Sequence, residues 1–112
     1  MIRSAFLPVA LALVLAPAAM AQETQRQKDH PRRAEVNKRL GNQDKRIEQG
    51  EQSGKLSPDQ AKQLHKEDHK IRKEERRMAA KDGGHITKQD QKKLNRQENK
   101  VSKQIHNEKH PK

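Results

Sequence analysis

The chain has no cysteine, no tryptophan and no tyrosine, and its one phenylalanine is Phe6. Without cysteine there are no disulfides to staple a small domain, and no thiol nucleophile. Without aromatics past residue 6, an aromatic-walled ligand pocket is excluded. Large aliphatic residues are also sparse beyond residue 21: Val36, Leu40, Ile47, Leu56, Leu64, Ile71, Met78, Ile86, Leu94, Val101 and Ile105. Each such side chain stabilises a fold by about 1.5–3 kcal/mol on burial, against an ordering cost of about 1–2 kcal/mol per residue. Composition by itself therefore reads as disorder.

The one long apolar run is at the start. Arg3 is followed by apolar residues from Ala5 to Ala16 and then by small residues ending in Ala19-Met20-Ala21. That order is the order of a secretory signal peptide, too short to span a bilayer. The expected organisation is a signal peptide over 1–21, a disordered lead over 22–31 and a small helical repeat domain over 32–112. No cysteine follows the cut, so lipoprotein-type attachment is excluded. Cleavage removes Arg3 and lowers the formal net charge from +11 to +10. Such a charge attracts polyanions. Nucleic acid would lead in the cytosol; export turns attention to lipopolysaccharide, anionic lipid headgroups, acidic polymers and negatively charged unfolded client proteins.

The sparse aliphatics recur in phase. Ser53-Gly54-Lys55-Leu56-Ser57-Pro58-Asp59-Gln60 returns, about thirty residues on, as Gly83-Gly84-His85-Ile86-Thr87-Lys88-Gln89-Asp90. In the same register Leu64 maps on Leu94, Asp68 on Glu98, Lys70 on Lys100 and Ile71 on Val101, and Leu40, Asp44, Arg46 and Ile47 form a third, partial copy. The period is helical. Ser57 and Thr87 are good N-caps, Gln60 and Asp90 stand where a capping box needs them, and Pro58 suits a first helical position. Gly50, Gly54, Gly83 and Gly84 read as stops. These signals predict an all-α three-helix bundle, or a helical hairpin repeat, with helices over 32–49, 58–80 and 88–109.

Leu64, Asp68, Ile71, Glu75 and Met78 share one face of the second helix, as do Leu94, Glu98, Val101 and Ile105 on the third. Each stripe mixes aliphatics with an acid, which a dry core penalises unless the acid is paired. One reading is a loose bundle whose acids reach the rim and pair with Arg or Lys of a neighbouring helix. The other makes Leu64, Asp68, Ile71, Met78, Leu94, Glu98, Val101 and Ile105 a binding surface. A homodimer sharing its stripes is a further way to stabilise so thin a core.

Among motifs with chemistry, the glycine turns carry only the shape signals of a calcium loop. With Gly84 at the sixth position, Ala79, Lys81 and Gly83 stand where oxygen ligands belong, and Asp90 alone qualifies. In the other turn, Gln49, Glu51, Ser53 and Gln60 fill the ligand positions, which leaves Leu56 and Ile86 as residues that could pair across the turns. Histidine offers more. His65 and His69 are one helical turn apart, as are His106 and His110, and in a hairpin of the second and third helices the two pairs stand at similar height on one side. A four-histidine patch for Zn, Cu or Ni follows. His30 and His85 add nothing specific. No glycine-flanked serine with a base and no phosphate loop is present, so the sequence reads as non-enzymatic.

The segment Leu56-Ser57-Pro58-Asp59-Gln60-Ala61-Lys62-Gln63-Leu64 resembles the Leu-Thr-x-x-Gln motif of the Spy/CpxP-type periplasmic helical proteins, with Ile86-Thr87-Lys88-Gln89-Asp90 as a weaker second copy. Ser57 stands for the motif's threonine and Asp90 for its glutamine. The chain also resembles short exported proteobacterial proteins of unknown function with Gly-x-[Leu/Ile]-[Ser/Thr] turns. The first resemblance implies an all-helical cradle that holds partly folded clients. The resulting expectation is a non-enzymatic periplasmic binding protein, chaperone-like or tied to envelope stress. A metal buffer using His65, His69, His106 and His110 is the alternative, and a polycation that coats lipopolysaccharide or anionic lipid is the third reading.

Overall fold

The computed structural model describes residues 28–111. The expected signal peptide over 1–21 and most of the expected lead fall outside these residues. The chain is an all-α three-helix bundle with no strand among the described residues: α1 spans Pro31–Gln52, α2 Pro58–Lys81 and α3 Lys88–Lys109. No described helix is long and apolar enough to cross a membrane.

The helix starts follow the punctuation. Ser57 Oγ accepts from Gln60 N at 3.1 Å, and Gln60 Oε1 accepts from Ser57 N at 2.9 Å. Thr87 and Asp90 repeat the exchange at 3.0 and 3.2 Å. Two orphan amides are satisfied at each start. The stops are Gly54 (φ 77°), Gly83 (φ 64°) and Gly84 (φ 97°), all in the left-handed region that glycine enters at little cost.

Gly50 corrects the sequence reading. It lies inside α1 and is buried. A Cβ there would come within 2.6 Å of Leu56 Cδ1 and 2.6 Å of Lys109 Cε. Its role is close approach, where the α1–α2 turn and the end of α3 fold over the helix. The end of the expected lead is also ordered: Pro31 is the first residue of α1, and the His30 carbonyl accepts from Ala34 N at 2.9 Å.

The helices run alternately up, down and up, and cross-links fix their register. Asp44 of α1 meets His65 and Arg72 of α2; Arg46 of α1 donates to Ser102 of α3 at 2.7 Å; Lys93 of α3 meets Glu74 of α2 at 3.1 Å. Each helix turns one apolar stripe to the axis. The core comprises Val36, Leu40 and Ile47 from α1, Ala61, Leu64, Ile71 and Ala79 from α2, and Leu94, Val101 and Ile105 from α3, with Leu56 and Ile86 contributed by the turns. The stripes close on one another within a single chain, which is how so few aliphatics suffice. Because successive turns lie at opposite ends of an up-down-up bundle, Leu56 and Ile86 seal opposite ends and do not pair.

Candidate functional site

The acids of the stripes do not all reach the rim. Asp68, Glu75 and Glu98 are 1%, 1% and 0% exposed. Glu75 is the one that behaves as the pairing argument requires: Arg33 of α1 reaches over it, donating from Nε to the carboxylate and from Nη1 to Gly84 O at 3.1 Å. For Asp68 and Glu98 the expectation of rim pairing is corrected, since no donor reaches either carboxyl oxygen of either residue. They form a polar layer across the bundle with Gln43, whose Nε2 donates to the Glu98 carbonyl at 2.7 Å.

Burial removes water from these carboxyls and disfavours their charged forms. Asp68 is pushed up to about 8, first by burial and then by the neighbouring Asp44 carboxylate; Glu98 adds to the rise and Arg72 opposes it. Glu98 is pushed up to about 7 by burial and Glu35, against the pull of Arg39. The repeat predicted Asp44 as the α1 equivalent of Asp68. The structure instead buries Gln43 and leaves Asp44 half-exposed on the α2 side, because the α1 core follows Val36, Leu40, Gln43, Ile47 and Gly50.

The residues proposed as a binding surface are therefore mostly core. Leu64, Asp68, Ile71, Leu94, Glu98, Val101 and Ile105 are buried, and Met78 is half-buried against them. In the closed bundle they face other helices of the same chain. Of the buried ones, Ile71 and Val101 lie at the floor of a groove of about 340 Å³ between α2 and α3, flanked by Glu67, Lys70, Glu74, Gln97 and Lys100.

The four-histidine patch is not assembled. His65 Nδ1 lies 3.2 Å from Asp44 Oδ1 in the α1–α2 groove, and His69 is exposed. His106 meets His110 in a tilted contact with ring centroids 4.7 Å apart. The side of the hairpin that was to carry both pairs is where α1 packs, as Asp44 beside His65 and Arg46 beside Ser102, one turn before His106, both show. No group of three or more His, Cys, Asp or Glu placed to hold a metal occurs among the described residues. A different histidine pair does meet: His30 and His85, with Nδ1 atoms 2.9 Å apart. Their separation of 55 positions gave the sequence no signal.

The most distinctive surface is electrostatic. The outward face of α2 exposes Lys62, Lys66, His69, Lys70, Lys73, Arg76, Arg77 and Lys81, and that of α3 exposes Lys88, Lys92, Lys93, Arg96, Lys100 and Lys103. The acids of these helices are mostly turned inward or half-covered. Asp68, Glu75 and Glu98 are buried, and Glu67, Glu74, Asp90 and Glu108 are half-buried, which leaves Asp59 in the first turn of α2. Glu74 is held below the usual range despite partial burial because Gln97 and Lys93 bond to it. α1 is balanced by contrast, with exposed Lys38 and Lys45 interspersed among Glu35, Glu48 and Glu51. Sequence reasoning found the charge but missed its asymmetry. Projecting Lys62, Lys66, Lys73 and Arg77 opposite Leu64, Asp68 and Ile71 at 100° per residue would have shown it.

No family model, curated protein or solved structure matches this chain.

Proposed function

We propose that this chain is an exported, non-enzymatic binding protein that lays the outward faces of α2 and α3 on phosphorylated anionic surfaces of the cell envelope, namely lipopolysaccharide or anionic lipid headgroups. The observation that carries this reading is the one-sided charge: two neighbouring helices expose many Lys and Arg side chains, while Asp59 is the one fully exposed acid on either. Lys and Arg close to an anionic lipid surface contribute about 1 kcal/mol each, falling off within a Debye length. A convex helical face with no aromatic side chain suits a broad charged surface, since it offers nothing on which a nucleobase could stack. The apolar stripes are occupied in the closed bundle, so this reading uses the surface the fold leaves free, and a client-holding reading would require a helix to leave.

The test is co-sedimentation with anionic vesicles, zwitterionic vesicles and lipopolysaccharide across a salt series. Binding to the two anionic targets should weaken steeply as salt rises. The α2 substitutions Lys66→Gln, Lys73→Gln and Arg77→Gln together should weaken it far more than Lys38→Gln with Lys45→Gln on α1. Equal losses from the two faces, or binding indifferent to salt, would dismiss the proposal.

A further inference from the structure

The start of α1 is clamped to the α2–α3 turn by three separate links. Arg32 Nη1 donates to Ile86 O at 3.3 Å, Arg33 Nη1 donates to Gly84 O at 3.1 Å, and His30 meets His85 through their Nδ1 atoms at 2.9 Å. The two imidazoles are tilted by 53°, with centroids 4.4 Å apart. Gly84 takes the left-handed φ of 97° that shapes this turn, and His30 packs beside it, its Cε1 3.5 Å from where a Cβ would stand. His30 is half-buried and His85 exposed, so the pair is held by the fold and open to solvent. Of the two arginines beside the pair, Arg33 is neutralised by Glu75, and Arg32 is turned to the Ile86 carbonyl.

We propose that His30 and His85 form a two-nitrogen site for a tetragonal transition-metal ion, Cu(II) or Ni(II), with solvent filling the remaining positions. Metal–nitrogen bonds of about 2.0–2.1 Å place two nitrogens at right angles about 2.9 Å apart, and two at the tetrahedral angle about 3.3 Å apart. The observed separation is the hydrogen-bond distance between the two rings, and it already holds both Nδ1 atoms at the spacing of the right-angled arrangement, which Cu(II) and Ni(II) favour. In the metal-free pair one Nδ1–H donates to the other Nδ1. On metal binding, the donor ring shifts its proton to Nε2 by exchange with solvent, so both Nδ1 lone pairs reach the ion and no net proton is released. The ion would staple residues that are distant in sequence, and so would stabilise the folded bundle over the open chain. This site is separate from the basic face and stands or falls independently of it.

Untagged full-length protein would be melted, following helix content by circular dichroism, with and without Cu(II), Ni(II) or Zn(II). Variants His30→Gln, His85→Gln and the pair His106→Gln with His110→Gln complete the set. At a metal concentration a hundredfold above Kd, the melting temperature should rise on the order of 10 °C. The rise should survive in the His106/His110 variant, vanish in both single variants, and be at least as large for Ni(II) as for Zn(II). Electron paramagnetic resonance of the Cu(II) form should show a tetragonal signal with two coupled nitrogens, lost in His85→Gln, which keeps the test decisive if a variant melts low. A shift that persists without His30 or His85, that disappears with His106 and His110, or that is absent for every metal overturns the assignment.

Discussion

The layer formed by Gln43, Asp68 and Glu98 makes an unusual demand on pH, and the expected effect can be worked through. Unfolded, Asp68 titrates near its ordinary value of 3.8; folded, it titrates near 8. Glu98 moves from 4.5 to about 7. Between the lower and upper values the folded state holds protons that the unfolded state has released. Raising the pH therefore favours unfolding. The stabilising contribution is full below about pH 4, shrinks through the window, and is gone for Glu98 above about 7 and for Asp68 above about 8. Well inside its window each group lowers the folded-to-unfolded ratio about tenfold per pH unit, so moving from pH 5 to pH 7 removes about 3 kcal/mol for Asp68 and about 2 kcal/mol for Glu98, whose window ends near 7. That is a large fraction of what a domain this small possesses. Urea titrations followed by circular dichroism at pH 5, 7 and 9 would measure it. The wild type should lose midpoint steadily as the pH rises. Asp68→Asn with Glu98→Gln should flatten the dependence and be the more stable protein at pH 9. A wild-type midpoint that rises from pH 5 to pH 7, or a double variant with the same slope, would refute the reasoning.

Two further outcomes test the packing. Arg33→Ala leaves Glu75 buried without its partner and should destabilise by about 3–5 kcal/mol in chemical denaturation, whereas Arg33→Met combined with Glu75→Leu should restore most of that loss. Gly50→Ala drives a methyl group into Leu56 and Lys109 and should lower stability by about 1–3 kcal/mol, although alanine is the better helix former in isolation.

Local signals made much of the architecture legible. Capping is decided within four residues, so Ser57-Pro58-Asp59-Gln60 and Thr87-Lys88-Gln89-Asp90 announced the starts of α2 and α3 to the residue. Periodicity is a property of one helix at a time, so the stripes through Leu64 and Leu94 were visible without knowledge of any partner, while their use as core and not as a binding surface was not. The charge was equally plain, because it needs no fold at all.

What lay outside the sequence in each case required a second element. Whether an acid on a stripe is paired depends on what the facing helix brings: Arg33 reaches Glu75, and nothing comparable reaches Asp68 or Glu98. Gly50 looks the same in sequence as a stop or as a point of close contact until the end of α3 arrives beside it. The choice of Gln43 over Asp44 for the interior was made by the rotation of α1 against two neighbours at once. The same placement of α1 kept the paired histidines of α2 and α3 apart and brought His30 to His85. Helix identity is written in contacts a few residues apart, which a linear pattern records; partner identity is fixed by contacts tens of residues apart, which exist only once three stripes have closed on a common axis.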